Sequence, residues 1–146
     1  MSTQKHGSEY LKSYSGVLNI SEEVLNLSAL IAAFNCGNAQ KTFLVILVAA
    51  FAFLSTGFFL ITHLIPRFRS LEIPWHWIEC GNAFILTGTY LISASVVILE
   101  LIGPFVVTGV LGYIATMAYL LDTIDKFRLA VTPRARYVWT TPNMPV

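Results

Sequence analysis

The run Thr42-Phe43-Leu44-Val45-Ile46-Leu47-Val48-Ala49-Ala50-Phe51-Ala52-Phe53-Leu54-Ser55-Thr56-Gly57-Phe58-Phe59-Leu60-Ile61-Thr62-His63-Leu64-Ile65-Pro66 contains no Asp, Glu, Lys or Arg. A helix needs about 20 mostly apolar residues to cross the hydrocarbon core of a bilayer, and this run supplies them. Backbone polar groups cannot go unpaired in lipid, so the run is predicted to be helical. Three further stretches lack the same four residue types: Val24–Gln40, Gly81–Leu99 and Leu101–Leu121. The expected fold class is therefore an all-α membrane protein, a four-transmembrane-helix bundle running up-down-up-down.

Composition agrees. The chain has 146 residues, room for one domain, and is 55% apolar and 12% charged. Its mean hydropathy of +0.68 lies outside the usual soluble range. A net charge of +1 points to no nucleic-acid partner. The predicted organisation is a polar segment over 1–16, a membrane domain over 17–126 and a tail over 127–146. The spans are expected at about 17–38, 42–65, 75–102 and 104–125. Met1–Gly16 has no apolar signal-peptide core, so the first span is expected to serve as its own insertion signal.

The basic residues set the orientation, because cytoplasmic loops collect Lys and Arg. With both termini inside, Lys5, Lys12, Arg67, Arg69, Lys126, Arg128, Arg134 and Arg136 share the inner face, and Lys41 stands alone outside. That is eight of nine, and it predicts N-in, C-in. The second outer turn contains Gly103-Pro104, glycine suiting the residue past a helix end and proline the first position of the next. Trp75 and Trp77, beside Arg67 and Arg69, are expected at the cytoplasmic interface with Lys126, Arg128, Arg134 and Arg136. Cys36 and Cys80 fall at opposite faces, too far apart for a bridge.

Helices in lipid associate through small and polar residues. In the first span Asn19, Glu22, Asn26, Ala29 and Ala33 recur at three or four, one helical face. The third offers Glu79, Asn82, Thr89, Ser93 and Glu100, with Leu86 and Val96. The fourth offers Thr108, Gly112, Thr116 or Ala115, Tyr119 and Asp122, and the second Ala49, Ala52, Thr56 and Ser55–Gly57. Glu22, Glu79 and Asp122 lie at one depth near the inner boundary and, with Asn19, Asn26 and Asn82, form the candidate structural polar layer. An acid at bilayer depth costs about 3 kcal/mol unless compensated, so the layer reads first as a clamp fixing helix register. A proton or ion path is the functional alternative, but it would need titratable groups through the middle, where Thr, Ser, Ala and Gly dominate. Lys41 is the expected partner of Glu100. His63 and His76 read as interfacial histidines without metal-ligand spacing.

Asn19-Ile20-Ser21 and Asn26-Leu27-Ser28 match the glycosylation pattern but sit in or against the first helix near the cytoplasm. The sequence has no phosphate loop, serine elbow, paired-His motif or Cys-x-x-Cys, so no catalytic residue, cofactor or metal site is assigned and the chain reads as a non-enzyme.

Several ordered features resemble MARVEL-domain proteins, in particular the chemokine-like-factor-type MARVEL transmembrane family. They are Ser15-Gly16-Val17-Leu18-Asn19-Ile20-Ser21-Glu22-Glu23-Val24, Ala52-Phe53-Leu54, Ile73-Pro74-Trp75, Tyr90-Leu91-Ile92-Ser93-Ala94-Ser95, and Gly112-Tyr113-Ile114-Ala115-Thr116-Met117-Ala118-Tyr119 with Asp122 and Lys126-Phe127. The resemblance covers about 14–128. It implies a four-helix bundle with cytoplasmic termini, working in vesicle trafficking, membrane apposition, junctions or fusion at the plasma membrane or secretory vesicles. Its implied partners are membrane lipids, other membrane proteins and further copies of itself. The short outer loops argue against direct cell–cell adhesion. A channel or transporter subunit using the acidic layer is the alternative from the residues themselves, and a small intramembrane enzyme is a third.

Overall fold

The computed structural model describes residues 8–69 and 71–131. Among them it is all helix: α1 Ser8–Leu11, α2 Tyr14–Asn35, α3 Ala39–Leu64, α4 Pro66–Arg69, α5 Trp75–Ile98 and α6 Gly103–Val131. Four of these, α2, α3, α5 and α6, are long and apolar enough to cross a membrane. They pack around a square, α2 on α3, α3 on α5, α5 on α6 and α6 back on α2.

The ends follow local chemistry. Ser13 caps α2 by accepting the Gly16 amide at 3.2 Å. Gly37, at φ 68°, turns the chain just beyond the α2 C-cap, a left-handed position that suits glycine. Asn38 caps α3 through the Lys41 amide at 3.3 Å. Pro74 stands at the N-cap of α5 and Pro104 in the first turn of α6. The second outer turn departs from expectation: the left-handed residue is Leu101, φ 52°, and not Gly103. The last span also differs, since α6 runs on to Val131 instead of ending near 125.

The bundle is held at close range by small residues. Ala29, Ala49, Ala52, Ala94 and Ala115 are wholly buried, with Tyr90 and Tyr119 filling the centre. Phe, Leu, Ile and Val cover the outside, including Phe51, Leu54 and Phe58 of α3 and Phe84 and Ile92 of α5. Apolar outside and polar inside inverts the soluble pattern and suits lipid as solvent.

Candidate functional site

The site grows from the stripes. All five α2 positions read from the sequence, Asn19, Glu22, Asn26, Ala29 and Ala33, are buried, as are Thr108, Gly112, Ala115, Thr116, Tyr119 and Asp122 of α6. In α5, Glu79, Leu86 and Ser93 are buried, whereas Asn82 and Thr89 are half-buried and Val96 is 45% exposed. The buried α5 line runs instead through Cys80, Ala83, Leu86, Tyr90, Ser93, Ala94 and Val97.

Two polar layers result. The deeper one is centred on Asn26, whose Nδ2 donates to Tyr119 Oη at 2.7 Å and whose Oδ1 accepts from Tyr90 Oη at 2.6 Å. Thr56 of α3 shares a 2.9 Å hydrogen bond with the same Tyr119 hydroxyl. One amide, two phenols and the Thr56 hydroxyl thereby tie all four spanning helices, with Tyr90 and Tyr119 stacked 5.7 Å apart.

The layer nearer the basic end is charged. His63 Nε2 of α3 lies 3.0 Å from Glu79 Oε1 of α5. Lys126 Nζ of α6 lies 3.5 Å from Glu79 Oε2 and 3.4 Å from Asp122 Oδ1, one turn back on its own helix. Those two separations are charge contacts without hydrogen-bond geometry. Glu22 is also buried here, and its Oε1 has no hydrogen-bond partner among the described residues; nor has the Oε1 of Glu23, which stands over Gly57. The three expected acids therefore share one neighbourhood with a cation among them.

Two expectations are corrected. Lys126 is not an interfacial cation but is 1% exposed inside the bundle, because α6 continues past it and the i,i+4 acid Asp122 turns with it. His63 is not interfacial either: it is 5% exposed, held between Glu79 and a ring from outside the four spans. That ring is Tyr10 of α1, stacked on His63 with centroids 3.9 Å apart and planes 7° apart. Asn19 Nδ2 donates to the Tyr10 hydroxyl at 2.7 Å. Asn19 thus secures the N-terminal segment, and Asn82 meets Ser55 at 3.4 Å.

The close approach of α1 needs Gly16. A Cβ there would run into the Tyr10 carbonyl oxygen and stand 2.9 Å from Leu11 Cα. Ser15 Oγ adds a 2.5 Å bond to Asp125 of α6. The expected outlying polar stretch is therefore partly a strap across the charged layer.

The remaining expected interface residues divide. Arg67, Trp77 and Arg128 are exposed, Trp77 packing edge-on against Phe127 at 5.9 Å, and Trp75 is half-buried. Arg134, Arg136 and the Arg69 side chain lie outside the described residues. At the opposite end Lys41 pairs with Glu100 at 2.5 Å, as expected. No family model, curated protein or solved structure matches this chain. Its residues and their geometry are therefore the grounds for its function. His63, Glu79, Asp122 and Lys126 bind one another, and no group of three or more His, Cys, Asp or Glu able to hold a metal occurs among the described residues.

Proposed function

We propose that this chain is a non-enzymatic membrane-organising scaffold, acting in vesicle transport, membrane apposition, junction or fusion events through its outer helix faces. The observation that carries this reading is the inward commitment of the polar groups. Asn26, Tyr90, Tyr119 and Thr56 satisfy each other, and His63, Glu79, Lys126 and Asp122 pair with each other. The polar chemistry on the inside holds the helices together, and the surface left for encounters is apolar and faces lipid. The MARVEL-like features along 14–128 favour the same role. Its partners are membrane lipids, other membrane proteins and further copies of the chain, in the plasma membrane or secretory vesicles.

The test is photocrosslinking in native membranes from Phe51, Leu54 and Phe58 of α3, with the inward-facing Ala52 as control. Protein or specific-lipid neighbours at the outer positions support the scaffold; their absence ends it.

A channel or transporter subunit is favoured by one observation, the buried Glu22 Oε1 with no hydrogen-bond partner among the described residues. Ion or proton flux in reconstituted vesicles, lost in Glu79→Gln, would replace the scaffold reading. Absence of flux removes the alternative.

A further inference from the structure

Glu23 lies on the seam between α2 and α3, its Oε1 3.6 Å from the place a Cβ would take on Gly57. That oxygen is buried and has no hydrogen-bond partner among the described residues, while the residue as a whole is half-buried. We propose that Glu23 is the docking point for a transmembrane helix of another protein that carries a lysine or arginine at the same depth. The proposal deepens the scaffold reading by giving a partner its chemistry, and it rests on that reading's placement of the bundle in the bilayer.

The acid has no outlet of its own. Hydroxyls near the outer faces return to their own helices: Ser21 and Ser28 of α2 donate to the Val17 and Val24 carbonyls at 2.8 and 2.7 Å. A carboxylate only accepts, and inside a helix each amide is already given to the carbonyl four residues back. The nearby cations are turned to other acids, Lys126 to Glu79 and Asp122, and His63 to Glu79. The residue beside it on α2 is a second buried acid, Glu22. The donor for Glu23 therefore comes from outside the bundle, and the surrounding acids favour a cation.

Depth decides the source of that cation. From Gly57 to the α3 end at Leu64 the helix rises about 10 Å. Headgroup amines stay outside the hydrocarbon, so lipid at this depth offers only acyl carbon. A second copy of the chain offers no cation either, since Val24–Gln40, Thr42–Pro66, Gly81–Leu99 and Leu101–Leu121 contain no Lys or Arg. A helix of a different membrane protein meets the requirement. The surface suits one: Ile20 and Leu27 flank Glu23 on α2, and Leu54 and Ile61 flank Gly57 on α3, all of them exposed and three or four residues away. Apolar ridges thus surround a single acid, and Gly57 leaves the room in which the carboxyl lies.

The probe is a synthetic polyleucine helix with one lysine about 10 Å from its end, dansyl-labelled to accept energy from the protein's tryptophans. The full chain is reconstituted with it in phosphatidylcholine vesicles, and the same helix with leucine in place of the lysine is the reference. The expected result is association about tenfold tighter for the lysine helix, the preference that one interhelical polar contact supplies. Glu23→Gln makes the two helices equal. Glu23→Leu does the same with an unchanged or raised thermal midpoint, because the acid holds nothing together in the fold.

Equal association of both helices with the parent chain overturns the site. A preference that survives Glu23→Gln overturns it too, since the charge of Glu23 is then not what the lysine meets. A lowered midpoint in both variants makes Glu23 a residue of the fold and has the same effect. Loss of the preference on adding phosphatidylethanolamine assigns Glu23 to a headgroup amine and likewise ends the proposal. A preference for the lysine helix without α3 crosslinks in native membranes would remove the scaffold and leave the site, and crosslinks without the preference would do the reverse.

Discussion

Gly112 of α6 rests directly on Ala94 of α5: a Cβ at position 112 would stand 2.7 Å from the Ala94 methyl carbon. Nothing between the helices can give, because the obstacle is a methyl fixed to a helix backbone. Gly112→Val is expected to force α5 and α6 apart and cost about 1–3 kcal/mol, as overpacking usually does. Gly81→Ala, which meets open space, is expected to cost nothing or gain up to about 1 kcal/mol from helix propensity. Reversible unfolding of both variants in detergent checks the contrast. Equal effects would show that the seam is not tight.

Asn26→Leu removes the donor to Tyr119 and the acceptor of Tyr90 in one step. Tyr119 keeps Thr56, so the loss falls chiefly on Tyr90. A cost of about 1–3 kcal/mol is expected. A double-mutant cycle with Tyr90→Phe should show strong coupling, and additive effects would contradict the shared hydrogen bond.

Lys126→Met leaves Glu79 and Asp122 buried together without their cation and is expected to cost about 3–5 kcal/mol. Glu22→Leu removes a carboxylate whose Oε1 accepts no hydrogen bond among the described residues, and should cost far less. Folded yield by fluorescence-detected size exclusion ranks the two. A Glu22 variant as damaging as the Lys126 variant would refute the pairing.

Gly16→Val is expected to lift α1 off the bundle, since its side chain would occupy the space of the Tyr10 carbonyl and the Leu11 backbone. Trypsin should then cleave after Lys12 faster than in the parent protein, while the four spans stay protected. Unchanged cleavage would mean that the strap adjusts around the added bulk.

Leu101→Gly removes the left-handed strain of a non-glycine residue and, at 82% exposure, gives up little packing. A gain of about 1 kcal/mol is expected, read as a raised thermal midpoint.

The bundle is legible in the sequence because lipid forces the issue: a long uncharged run has no alternative to a helix, and small or polar residues at three-four spacing must face other helices. The faces of α2 and α6 emerge on those grounds. The face of α5 does not emerge whole, because polarity at Thr89 is no sign of burial. Its hydroxyl returns to Ile85 and Leu86 of its own helix, so it needs no partner across the bundle. Tyr90, one residue on, has a polar tip that must be satisfied when buried, and that property marks it. Lys126 is visible as the i,i+4 partner of Asp122, but a span ending near 125 leaves it outside. The pairing of Tyr10 with His63 has no signature in spacing, since a strap is fixed by a contact distant in sequence.

The Lys41–Glu100 bridge joins the two outer turns, and its side chains are 46% and 32% exposed. Ions in the medium reach such a pair and weaken it, whereas the His63–Glu79–Lys126–Asp122 group is sheltered from them. The molecule is thus welded at one pole and merely latched at the other. Raising ionic strength loosens the latch alone, so splaying of the helices to admit a neighbour would begin at the outer pole and leave the inner one as its pivot.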